Sequence, residues 1–515
     1  MCIPGFAGWP ISRLFMGDVA STPLPRRLAV LSYQYLVGPL ASAFIAPGQY
    51  LAAPMVSSFN RKVQQIRPIE YDKYGQQFVS DLDSLKGSVR LPNGVTLLNR
   101  IVKAGITDGL CTVEGNPTQK MVDIYARYAN GGYGLIISPD TSVSRSARLP
   151  GITGNTPVLD RESDRATYTE LAKAMSVNGP AVIQLTHPGV VVPFCNRAYA
   201  PSVVVADRPR SGLPQYAHLL TSEHITGIIE DFMASAKIAE ECGFSGIQIV
   251  VANGYLPALF LDKVINNRSD EWAGTAFVTT LIKQLMGKRS NPNFIIGVKF
   301  SSEDFYRGGY NASEAVKFVE QIAGLGVDFL EIGGGDFERY IDFEGLGQGL
   351  SSKKQEVFFD EFTRGTLKAV SSVPVMTVGN WRQAQSMVKA VKKHANLLVG
   401  IGRPTCVDPN IAEKLLKGAV SSIPNWFQVY LPPFVREKIE KDEEEGKKMA
   451  FGVEMLWYAT AVGSLAHGAE IPLVNNVFDD PLNALTLRIH MLIRSILPGS
   501  LLAKPFRRHP LDQSV

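Results

Sequence analysis

Residues able to bind, polarise or protonate a small molecule stand at the ends of short apolar runs in this chain. Thr107 follows the first such run, Gln184 and His187 lie in QLTHPG, Asn253 and Tyr255 in VVANGYL, and Lys299 in GVKF. The two C-terminal runs end in Gly379-Asn380 and in Gly402-Arg403. A glutamine offers a donor and an acceptor, a lysine stabilises an anionic ring edge, and an arginine grips phosphate with a two-toothed fork. Glycines beside that arginine let the backbone close on a ligand. The set suits one flat, polar ring that carries a phosphate tail.

The elements that must position these residues follow from periodicity. Apolar, β-rich runs of strand length occur at 101–104, 134–138, 181–186, 246–251, 294–300, 328–332, 373–378 and 396–400. Helical patterns fall between successive runs, for example at 118–130, 161–177, 222–241, 276–286 and 312–325. Strict alternation implies a parallel sheet, and eight repeats predict a closed α/β fold, the (β/α)8 TIM barrel, with N- and C-terminal extensions. Function in that fold sits where the C-terminal strand ends meet their loops, and a phosphate commonly lies after strands seven and eight. Asp408 before Pro409 predicts an N-cap with proline at the first helical position.

Composition narrows the class. The 515 residues are 45% hydrophobic, enough for a large core, and the net charge of +4 is spread along the chain, which argues against nucleic acid as a partner. Five cysteines, odd in number and never in a CxxC, argue against a disulfide scaffold, zinc or an iron–sulfur cluster and point to a reducing, cytoplasmic compartment. Residues 1–85 form an apolar N-terminal arm whose prolines interrupt any membrane span. Residues 86–420 are the barrel, and 421–515 a C-terminal helical extension containing the charge run 436–448, the apolar 449–462 and the amphipathic 482–497. The arm reads as a cover on the barrel and the extension as capping helices or a homodimer contact; a peripheral membrane contact made by both is the alternative.

Flavin mononucleotide (FMN) fits the ring and tail that the strand-end residues describe. LPNGVTLLNRIVKAGITDGL, QLTHPG, GFSGIQIVVANGYLPALFLDKVINNRSDEWAG, GVKFSSEDFYRGGY and LVGIGRPTCVDP, in that order, resemble the old yellow enzyme (NADH:flavin oxidoreductase) family over residues 88–416. The resemblance implies that Ala104, Thr107, Gln184, Lys299, Gly379, Asn380, Gly402 and Arg403 hold FMN. It implies further that Asn253 meets a substrate carbonyl and that Tyr255 donates a proton. NADH or NADPH would reduce the flavin and leave, after which a small electron-poor alkene would take the hydride.

Two departures bear on that chemistry. Where the family carries a histidine three residues before the asparagine, this chain has Val250, followed by Val251; where an arginine follows HPG, it has Val190. Loss of one donor to a developing oxyanion costs about 3 kcal/mol of transition-state stabilisation. One expectation is that His187 joins Asn253 as the replacement donor, in a pocket made apolar by Val250 and Val251, so that bulky apolar α,β-unsaturated carbonyl compounds are the substrates. In the other, His187 orders its own Pro-Gly loop, and the barrel is a diverged flavin protein with impaired reductase activity, serving in binding or redox-neutral chemistry.

Overall fold

The computed structural model describes residues 81–426 except 150–154, 192–197, 203, 207–214, 264, 302–311, 334–362, 364, 380 and 425, and beyond these 454, 457–459, 461–466, 468, 507 and 508. Eight strands close a parallel barrel: β1 Ile101–Lys103, β2 Leu135–Ser142, β3 Ala181–Thr186, β4 Gly246–Val251, β5 Ile295–Ser301, β6 Phe329–Gly333, β7 Val375–Val378 and β8 Leu397–Ile401. Each pairs with its sequence neighbour, and β8 returns to β1, so no strand edge is left open.

Helices cover the outside. α1 Gln119–Ala129, α2 Arg165–Met175, α3 Ser222–Glu241, α4 Ala276–Gly287 and α5 Ala312–Ala323 follow β1 to β5 in turn, α6 Ala384–Lys393 follows β7, and α7 Ile411–Leu416 follows β8. Their starts obey local chemistry: the Thr118 hydroxyl accepts from Met121 N, and the Asp164 carboxylate accepts from Ala166 N, which starts α2 later than the apolar pattern does. The cap expected at Asp408 is not the helix's own. Asp408 Oδ1 accepts from Asn410 N in a turn, Asn410 occupies the N-cap position of α7, and residues Arg403–Cys406 form a 3-10 helix ahead of it.

Strand side chains alternate between two cores, as sheets buried on both faces require. Ile183, Ile247, Ile249, Ile296, Val298 and Leu330 face the helices, whereas Val102, Ala104, Leu135, Ile137, Val182, Ile295, Phe329, Met376 and Leu398 fill the lumen. Val89, Leu91 and Leu97 join that inner cluster from the short hairpin Val89–Arg90 and Thr96–Leu97, which stoppers one end of the lumen. The C-terminal stretch meets the barrel where it is described. Trp426, Trp457, Tyr458, Val462 and Leu465 belong to the outer core, Leu465 O accepts from Arg127 at 3.0 Å, and Arg507–Arg508 adds an antiparallel edge to the strand Val204–Ala206. Among the described residues no helix is long and apolar enough to cross a membrane. The arm expected at 1–85 falls outside the described residues as far as 80, as do the runs 436–448 and 482–497.

The lumen is tight enough to demand glycine where strands meet. A Cβ on Gly246 would stand 2.2 Å from Ile295 O. Gly246→Ala is expected to cost about 1–3 kcal/mol by overpacking, seen as a lower urea midpoint with unchanged slope; an unshifted midpoint would mean that β4 and β5 can part without penalty.

Candidate active site

Those of the expected residues that are described lie toward the mouth formed by the strands' C-terminal ends, and the most informative residue there was not among them. β2 carries a bulge: Ile137 pairs with Val182 but Asp140 pairs with Gln184, so β2 spends one residue more than β3 over that step. Pro139, which has no N–H to give a ladder, sits in the extra length, and Ser138 Oγ accepts from Gln184 N at 2.9 Å in place of a ladder bond. Counting by twos from the lumen-facing Ile137 would send Asp140 to the helices; the bulge instead puts it level with Gln184. Asp140 Oδ2 accepts from Thr107 Oγ1 at 3.2 Å and from Tyr255 Oη at 3.3 Å. Pro139 inside a strand was the sequence signal that could have exposed it.

From Gln184 a hydrogen-bonded chain crosses the barrel. Gln184 Nε2 donates to Gln248 Oε1 at 2.5 Å, Gln248 Nε2 donates to Glu331 Oε2 at 2.7 Å, and Glu331 Oε1 pairs with Lys299 Nζ at 3.1 Å. Glu331 is fully buried and Lys299 nearly so. A carboxylate paired to an ammonium has only acceptors to offer, which fixes the direction of both glutamine amides and turns Gln184 Oε1 away from Gln248. Gln248 and Glu331 were missed because within apolar strands they read as single polar interruptions.

Tyr255 is wholly buried at the start of the short helix Leu256–Leu259. Asn253 precedes it at φ 60°, a left-handed conformation that asparagine tolerates better than most residues, and its N–H meets Ser301 Oγ at 3.3 Å. Tyr255 belongs to a buried apolar cluster that includes Leu149, Val190, Val191, Val250, Ala252 and Leu259. Val190 and Val250 thus share one apolar cluster. Val251 does not join them: strand alternation turns it outward into the helix-facing core, correcting the expectation that it lines the pocket. His187 Nδ1 accepts from Gly189 N at 3.2 Å, so its ring orders its own turn, and burial pushes its pKa down to about 4.

At the other side of the mouth, Gly379 has φ 129°, which excludes a side chain without strain, and Gly402 leads into Arg403. One guanidinium nitrogen of Arg403 pairs with Glu454 at 2.8 Å. Asn380 lies outside the described residues. Ala104 is buried in the lumen, next to Lys103 on the opposite face. Lys103 Nζ donates to Ala104 O, Tyr125 Oη and Ile137 O and lies 4.8 Å from the Tyr125 ring centre. Burial pulls this lysine down to about 8 and pushes Asp108 up to about 6, each opposing the other's shift through their mutual attraction. A ring-and-phosphate cofactor fits what is present: a glutamine carbonyl, a lysine, an arginine and glycine backbone around one mouth.

A family model described as NADH:flavin oxidoreductase / NADH oxidase matches residues 89–421. The chain is 29% identical over 355 residues to the NADH-dependent flavin oxidoreductase iliE of Hypocrea jecorina (strain QM6a), covering 64% of this chain and 88% of that protein. It is 30% identical over 338 residues to the NADH:acrylate oxidoreductase of Vibrio harveyi, covering 63% of this chain and 32% of that protein. Among solved structures, the old yellow enzyme homologue from Zymomonas mobilis shares the fold with a TM-score of 0.53 at 21% identity, over 65% of this chain and 93% of that one.

The depressed His187 pKa gives a pH signature. A base whose folded value (about 4) lies below its unfolded value (6.5) binds fewer protons folded than unfolded in that window. Its neutral form therefore supports the fold fully above pH 6.5, and stability drains as pH falls toward about 4, by up to about 1.4 kcal/mol per unit. Thermal unfolding of wild type against His187→Asn at pH 7 and pH 5 should show the gap between them shrinking at the lower pH; a gap that ignores pH would place the titration elsewhere.

Proposed function

The chain belongs to the NADH:flavin oxidoreductase / NADH oxidase family, and from that premise we propose that it is an ene-reductase, passing hydride from NADH or NADPH through FMN to an electron-poor alkene, with apolar α,β-unsaturated carbonyl compounds as its substrate class. The observation that carries this reading is the meeting of Thr107, Gln184, Tyr255 and Lys299 at one barrel mouth with Gly402-Arg403 beside it.

FMN, when bound, supplies the two-electron hydride transfer itself. The protein's part is to hold and tune. Gly379, Gly402 and Arg403 suit the phosphate; Ala104, Thr107 and Gln184 suit the ring. Lys299 brings positive charge to a ring that becomes anionic on reduction, and Glu331 tempers that charge at 3.1 Å. Tyr255 carries a proton on Oη for the substrate carbon that does not receive hydride, and Asp140 orients that hydroxyl. Asn253 supplies an amide donor to the carbonyl, and Val250 withholds the second donor.

The test separates the half-reactions. Tyr255→Phe is expected to slow reoxidation of reduced flavin by an alkene panel about 10²–10⁴-fold while leaving reduction by NADH unchanged; equal reoxidation rates would remove Tyr255 as the proton donor. Arg403→Ala is expected to purify with little flavin, and retained occupancy and affinity would displace the phosphate site. Potentiometry should find the flavin potential lowered by Lys299→Met and raised by Glu331→Gln. Val250 favours a second reading, a flavin barrel that binds or acts without net redox change; reduction by NADH followed by no reoxidation with any alkene would select it.

A further inference from the structure

Asp140 is nine-tenths buried, and its two oxygens have opposite fates. Oδ2 takes the hydroxyls of Thr107 and Tyr255, whereas Oδ1 is buried with no hydrogen-bond partner among the described residues. A buried acceptor without a donor costs about 1–3 kcal/mol, more when it is charged. The bulge in β2 places this side chain level with Gln184, and the residue it grips, Tyr255, belongs to a buried apolar cluster with Val190, Val191 and Val250. None of those side chains can donate a hydrogen bond. A carboxylate can only accept.

Two features of this mouth point in the same direction. A donor is missing at Val250, and a buried acceptor stands beside the proton donor. We infer that Asp140 is a specificity-determining residue whose Oδ1 accepts a hydrogen bond from an N–H or O–H of the substrate, so that the preferred alkene carries such a donor next to its conjugated system. This rests on the ene-reductase reading for the word alkene, but not for the donor preference. The apolar neighbours explain why the preference should be steep: Val190, Val191 and Val250 offer no donor to Oδ1, so a substrate without one leaves it as costly as before. A donor that satisfies it gains the full difference.

Paired imides that differ by one N–H test the inference on the FMN-loaded enzyme. Succinimide and N-methylsuccinimide, which accept no hydride, are titrated while the flavin absorbance is followed. Wild type should bind succinimide at least about tenfold more tightly, in line with the cost of an unmet buried acceptor. Asp140→Ala should bind the two alike, and Asp140→Asn should lose the preference for succinimide, because the Thr107 and Tyr255 hydroxyls hold the amide oxygen and the NH2, a donor, takes the place of Oδ1. Flavin occupancy and potential are measured on the same variants. Equal binding of both imides by wild type overturns the proposal, as does a preference that survives in both variants. A shifted flavin potential with the imide preference intact would also overturn it, by assigning Oδ1 to the cofactor. Maleimide and N-methylmaleimide, mixed with the reduced enzyme, then report on the reaction: if succinimide is preferred but neither maleimide reoxidises the flavin, the ene-reductase reading fails and the donor preference stands.

Discussion

An ammonium inside a closed barrel has to be answered by charge from the barrel itself, and in this chain Glu331 answers Lys299 from the neighbouring strand. The register makes the pair unavoidable, because Lys299 and Glu331 are direct partners across β5 and β6. Desolvating either alone would be far more costly than desolvating both together. Once Glu331 is fixed as an ion, Gln248 must donate to it, Gln184 must donate to Gln248, and the outermost glutamine must show its carbonyl. One ion pair thus sets the hydrogen-bond polarity of a whole wall of the mouth.

Much of this was legible in the sequence because parallel barrel strands announce themselves twice, by unbroken apolar runs and by the helical stretches between them. Ala181–Thr186, Gly246–Val251 and Ser222–Glu241 coincide with their expected bounds. The two strands are buried throughout and the helix buries one face, so burial and local preference agree in all three. Bounds shifted where a single side chain decides them: the carboxylate of Asp164 starts α2 four residues after the apolar pattern begins.

The site was legible only in part, for a physical reason. Residues recognised by type and position, Thr107, Gln184, Tyr255 and Lys299, do converge. Asp140 and Glu331 stayed hidden, since their importance comes from partners on other strands and a single sequence contains no register. Val251 was misread because adjacent residues on a strand look alike in sequence while facing opposite cores. His187 shows a residue with two tasks open to it: Nδ1 accepts from the N–H of Gly189 and orders that turn, which leaves Nε2 as the donor nitrogen of the neutral ring.

The bulge at Pro139 decides the chemistry of the mouth by register rather than by residue type. Ironed flat at unchanged chain length, β2 would set Pro139 level with Gln184, and strand alternation would swing Asp140 to the helix side. A slip of one residue between β2 and β3 is then enough to switch the mouth between offering an acceptor and lacking one, with no side chain exchanged.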